Sequence, residues 1–82
     1  MITDDKLLQE AYDEIFAKII EMIAVKKYEP QLIAATLMAQ ALRIYKTILT
    51  KEDFIKMVET MADGAINVDA YKDKRILNWY DK

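Results

Sequence analysis

Eighty-two residues with a net charge of −2, no Cys and no His bound the protein to one small domain that lacks thiol and imidazole chemistry. Ser is also absent and no Gly-rich phosphate loop occurs, so the Ser or Cys nucleophile and the His base are all missing and neither an enzyme activity nor a cofactor is expected. Hydrophobic residues make up 54% of the chain, above the usual ~45–50%, so either a well-filled core takes up the excess or part of it is expected to lie in an interface, of a homodimer or homo-oligomer or of a stable hetero-complex.

The charge is uneven. Asp4, Asp5, Glu10, Asp13, Glu14 and Glu21 stand against only Lys6 and Lys18 in the first part of the chain, while the remainder carries a slight positive excess. That is no polybasic footprint for nucleic acid. The acidic start lacks the basic and apolar regions of a signal peptide, and no apolar run is long enough or clean enough to span a bilayer. A cytoplasmic protein with no membrane contact is the expectation.

Helix 1 is predicted to start near Thr3 or Asp4, either of which can cap it, and to run to about Lys27. Leu8, Tyr12, Ile15, Ile19 and Met22 recur at spacings of four and three, and Ala11, Phe16, Ile20 and Ile23 widen that stripe. The opposite face carries Glu10, Asp13, Glu14 and Glu21. It reads as a solvated face or as an acidic docking surface for a basic protein; without His or a Gly-containing calcium loop, it makes a poor metal site.

Pro30 fits the first turn of helix 2 and pushes Glu29 toward an extended conformation, which separates the two helices. Helix 2, Leu32 to Leu49, is the most informative stretch. At about 100° per residue, Ile33, Leu37, Met38, Leu42, Ile44, Tyr45, Ile48 and Leu49, with Ala34, Ala35 and Ala41, fill an arc of roughly 200°. Thr36, Gln40, Arg43, Lys46 and Thr47 form the remaining polar wedge. A helix this apolar is expected at the centre of a packed bundle.

Thr50 is a good N-cap for helix 3, with Asp53 three residues on as a short-armed version of the capping box. Phe54, Ile55, Met57, Val58, Met61 and Ala62 mark its apolar face, and Gly64, the one Gly, is placed for a left-handed C-terminal cap. Beyond it, Asp69 is a candidate cap for a short helix from Ala70 to Tyr80 whose apolar residues share no clean face. The expected organisation is a helical bundle domain over residues 1–64 and a C-terminal segment over 65–82, docked or mobile. The fold class is therefore all-α: an antiparallel three-helix bundle with a short C-terminal helix or tail.

Two further constellations bear on function. In the tail, Arg75, Ile76, Leu77, Trp79 and Tyr80 combine the residue types that anchor interfaces, and they are expected either to bind a partner or to fold back over the open end of the bundle. Helix 2, turn and helix 3 also have the outline of a DNA-reading motif, for which Arg43, Lys46 and Lys51 would carry the contacts. Helix 3, however, presents Glu52, Asp53, Glu59 and Asp63 against two lysines, the wrong sign for phosphate. A non-catalytic protein–protein interaction module is thus preferred over a nucleic-acid-binding protein, with a purely structural homo-oligomer as the other alternative.

The run Ile33-Ala34-Ala35-Thr36-Leu37-Met38-Ala39-Gln40-Ala41-Leu42-Arg43-Ile44-Tyr45-Lys46-Thr47, followed by Leu49-Thr50-Lys51-Glu52-Asp53-Phe54 and Met57-Val58, resembles small uncharacterised all-helical accessory proteins of tailed bacteriophages. Those proteins carry a similar Ala-Leu-Arg-x-Tyr-Lys-Thr stretch before a short capped helix. The resemblance covers about a third of the chain and brings no functional residues. It implies expression in the cytoplasm of an infected bacterium and an accessory role, binding and modulating a host or phage protein.

Overall fold

The computed structural model describes residues 5–77, and among them all regular structure is helical. α1 spans Asp5–Ile20 and passes into one π-helical turn, Glu21–Val25. α2 spans Pro30–Ile48, α3 Lys51–Gly64 with a 3₁₀ turn at Ala65–Asn67, and α4 Lys74–Leu77. The described chain divides into two compact units, residues 5–33 with 72–77, and residues 34–71.

The first unit holds the core. Ile19 and Ile23, four apart and so one above the other on the helix, pack with Ile33 from the first turn of α2, and Met22 and Ile76 close the cluster. Ile76 is the contribution of α4. The apolar stripe of α1 is buried only at its C-terminal end, where Ile20 is also covered; Leu7, Leu8, Tyr12 and Ile15 stay exposed.

Helix 1 does not run as a regular α-helix to Lys27. Lys26 N–H donates to Glu21 O at 3.0 Å, five residues back, which is the inserted-residue pattern of a π turn. Lys27 then takes a left-handed conformation with φ 63°, and Tyr28 N–H reaches Met22 O at 2.9 Å to close the helix end. This is the left-handed cap that the sequence placed at Gly64. Gly64 instead has φ −84° and ψ −13°, ordinary right-handed values, and the chain runs straight on into the 3₁₀ turn.

Pro30 occupies the first position of α2 as expected. Leu32 and Ile33 N–H donate to Glu29 O at 3.0 and 3.2 Å, so Glu29 supplies the first carbonyl of the helix, which starts two residues before the predicted Leu32. Thr50 caps α3, accepting at its hydroxyl from Asp53 N–H at 3.2 Å. The short fourth helix is capped by Asp73 rather than Asp69 and is far shorter than the predicted Ala70–Tyr80. Four residues make one turn, which has no stability of its own; α4 is held by Ile76.

The second unit has no core. From Ala34 to Tyr71 no residue is buried, and only Tyr45, Leu49, Phe54 and Met57 are half-covered. Helix 2, expected at the centre of a packed bundle, buries Ile33 alone. Its apolar arc is present, and Met38, Ile44 and Ile48 on it stay largely exposed. Ordering the backbone costs about 1–2 kcal/mol per residue, and burial is the term that must offset it.

Candidate protein-interaction surfaces

The largest candidate is the uncovered apolar surface of residues 34–71. α2 presents Leu37, Met38, Leu42, Ile44 and Ile48, and α3 with the turn after it presents Ile55, Val58, Met61 and Ile66. So many exposed aliphatic side chains on two successive helices are uncommon on a protein that works alone. The 3.6-residue period of a helix, with apolar residues on more than one stripe, produces this exposure: one stripe supplies the half-covered Tyr45 and Leu49, while Met38, Ile44 and Ile48 on the others stay largely exposed.

At the turn between α2 and α3 lies a hollow of about 430 Å³ lined by Lys46, Leu49, Lys51, Phe54 and Ile55. The Lys46 ammonium stands 5.8 Å from the centre of the Phe54 ring, a cation–π contact that keeps the charge at the rim while the stem covers apolar surface. Two of the three residues named for nucleic-acid contact, Lys46 and Lys51, thus meet at one place. Arg43 does not line it; its carbonyl accepts from the Thr47 hydroxyl at 2.7 Å, a local bond within α2. Phe54, which organises the hollow, was legible in the sequence only as one member of an apolar stripe.

The acidic residues of α1 are not gathered into a site. Asp13 accepts from Gln9 Nε2 at 2.9 Å, and Glu21 pairs with Lys18 at 3.2 Å and Lys26 at 3.9 Å. Glu10, Asp13 and Glu14 lie on the exposed surface of α1, whereas Glu21 is half-buried in the π turn, neutralised by its two lysines. Among the described residues no group of three or more acidic side chains is arranged to hold a metal ion.

The tail residues divide. Ile76 turns inward to the Ile19–Ile23–Ile33 cluster, Leu77 is exposed, and Trp79 and Tyr80 lie outside the described residues. Arg75 folds back onto Asp73: Nε donates to Oδ1 at 3.0 Å, an Nη to Oδ2 at 2.6 Å, and the Arg75 backbone N–H to Oδ1 at 2.8 Å. The guanidinium fork, and then the backbone N–H, hold the Asp73 carboxyl down at about 2. So Arg75, named as an interface anchor, is engaged within its own turn. The signal that could have found this is an Asp two residues before Arg and three before an apolar residue.

Because the folded carboxyl titrates below its ordinary value of about 3.9, its contribution to holding α4 is complete above that pH and is lost as pH falls toward 2. A carbon-detected NMR titration is expected to place the Asp73 midpoint near 2, and Arg75→Ala to return it toward the ordinary value. An Asp73 midpoint near 4 in the unaltered chain would mean that the fork does not form.

No protein-family model, curated protein or solved structure matches the chain. No helix among the described residues is long and apolar enough to cross a membrane.

Proposed function

We propose that the protein is a non-catalytic protein–protein interaction module. One observation carries the reading: the helical stretch of residues 34–71 exposes an aliphatic surface and buries none of it, so its apolar residues are available to another polypeptide. The bundle that the apolar arc of α2 calls for is completed between chains rather than within one. The resemblance to phage accessory proteins supplies the setting, the cytoplasm of an infected bacterium, and the role, binding and modulating a host or phage protein. Nucleic-acid binding is less well supported, since only Lys46 and Lys51 come together and α3 adds Glu52 and Asp53 in its first turn.

The test is site-specific photo-crosslinking in bacterial cells, with the photoreactive residue at Ile48 or Met61 on the apolar surface and at Glu14 on α1 as control. Protein adducts heavier than 9.6 kDa are expected from the first two positions and not from the third. A helical chain that yields no protein adduct from Ile48 or Met61 overturns the reading.

A further inference from the structure

Within α2, Ala34, Leu37, Ala41, Ile44 and Ile48 follow one another at spacings of three, four, three and four, and all five are exposed. That spacing is the a/d seam of a coiled coil, over about two heptads. Among the described residues the seam is covered least at its C-terminal half: Leu37 is 37% exposed, Ile44 62% and Ile48 68%.

We propose that this seam pairs with the same seam of a second copy of the chain, the two α2 helices crossing antiparallel at Ala41. The proposal rests on the interaction reading above and names its partner. Three features select a second copy. The first is size: about a twofold axis at Ala41, Ala34 comes level with Ile48 of the partner subunit, Leu37 lies beside the partner's Ile44 and the partner's Tyr45, and Ala41 meets its own equivalent. Small thus faces large at each end, and the centre admits close backbone approach. An isologous contact requires this self-complementarity, in which each residue of the patch meets another of the same patch.

The second feature is charge. The flanking positions Met38, Gln40, Tyr45 and Thr47 are all uncharged. The charges of this stretch, Arg43 and Lys46, are both positive and sit on the outer side of the helix, so two copies meet without like-charge repulsion at the seam. A partner recognised through charge would need an anchor that these positions do not provide.

The third feature is area. A seam of fifteen residues is roughly 22 Å long at 1.5 Å per residue, and with the flanking Met38, itself 68% exposed, it offers several hundred Å² per chain. A standard stable interface takes about 800 Å² per partner, so the pair falls among the weaker, reversible interfaces, whose dimer populates only as concentration rises.

Because the chain has no Cys, disulfide trapping reads the geometry directly. The full chain is expected to shift from 9.6 kDa toward twice that mass as concentration rises in light scattering behind size exclusion. Ala41→Cys should form an intermolecular disulfide readily, and a mixture of Ala34→Cys and Ile48→Cys should form the mixed species in preference to either self-paired one. Ile44→Glu, at a position exposed in the single chain, should keep helicity and abolish the mass shift. Self-paired Ala34→Cys and Ile48→Cys species would overturn the antiparallel pairing. So would a dimer that Ile44→Glu leaves intact, or a mass of 9.6 kDa at every concentration. If the mass stays monomeric while Ile48 crosslinks to a different protein in cells, the second copy is excluded and the interaction reading stands. If neither occurs, both fall.

Discussion

Replacing Ile23 by Ala is expected to remove about 2–5 kcal/mol of stability, the range found when a buried Ile is cut back to Ala. Ile23 is the most deeply buried side chain described, 3% exposed, and it sits where the π turn, the first turn of α2 and α4 come together through Ile19, Ile33 and Ile76. Marginal stability of roughly 0.05–0.15 kcal/mol per residue gives a chain this short little reserve. The variant should therefore lose amide-exchange protection through α1 and unfold at much lower urea. Ile15→Ala, at an exposed position of the same helix, should change the urea midpoint little by comparison. Equal effects of the two substitutions would show that the isoleucine cluster is not what holds this unit.

Replacing Ile76 by Asp is the second large effect. A carboxylate placed among Ile19, Ile23 and Ile33 would lack a hydrogen-bond partner, and leaving a polar group unsatisfied in an apolar site costs about 1–3 kcal/mol. α4 is a single turn with no means of persisting alone, so it should detach, and the Asp73 titration should move from about 2 toward the ordinary carboxylate value. Leu77→Asp, at a side chain 50% exposed, should leave both the melting temperature and the Asp73 titration in place. The pair separates two roles that one apolar tail segment can play. If Ile76→Asp lowers stability while Leu77→Asp only weakens association, Ile76 serves the fold and Leu77 the partner. If Ile76→Asp changes neither stability nor the titration, the packing of α4 is not a stabilising element.

The two large effects and the proposed pairing come from one division of apolar residues. Those near Ile23 pack against one another, whereas Met38, Ile44 and Ile48 of α2 stay largely exposed. Removing the first group should unfold the chain, whereas removing the second should leave it folded and solitary. The proposed interaction role needs both: a small core stable enough to present a helix, and a helix that keeps apolar side chains exposed.

Local chemistry was the legible part. Pro30 at the start of α2, Thr50 with its acceptor on Asp53 N–H, and the all-helical class follow from constraints acting within a few residues: a fixed φ, a hydroxyl placed for an orphan N–H, and a 3.6-residue apolar period. The helix ends governed by competition between neighbours were not. Gly64 has the intrinsic freedom for a left-handed cap but also follows the helix without strain, and nothing lies within 4 Å of the position a Cβ would take. Lys27 takes the left-handed conformation because the π turn delivers the chain there with Tyr28 N–H aimed at the Met22 carbonyl. A preference of about 1 kcal/mol for Gly is easily overridden by such a bond.

The candidate surfaces divide the same way. Lys46 and Lys51 could be named from the sequence, but that Phe54 joins them in one hollow while Arg43 stands apart depends on the path of the turn between α2 and α3. Arg75 and Ile76 could be named as anchors, but one is held by Asp73 and the other by the isoleucine cluster. The sequence by itself determined that the described chain is helical and where two of its helices start. Tertiary structure alone decided which apolar residues are covered. Periodicity says which side chains share a face of a helix; whether that face is buried depends on what stands opposite, and of α2 only Ile33 is buried.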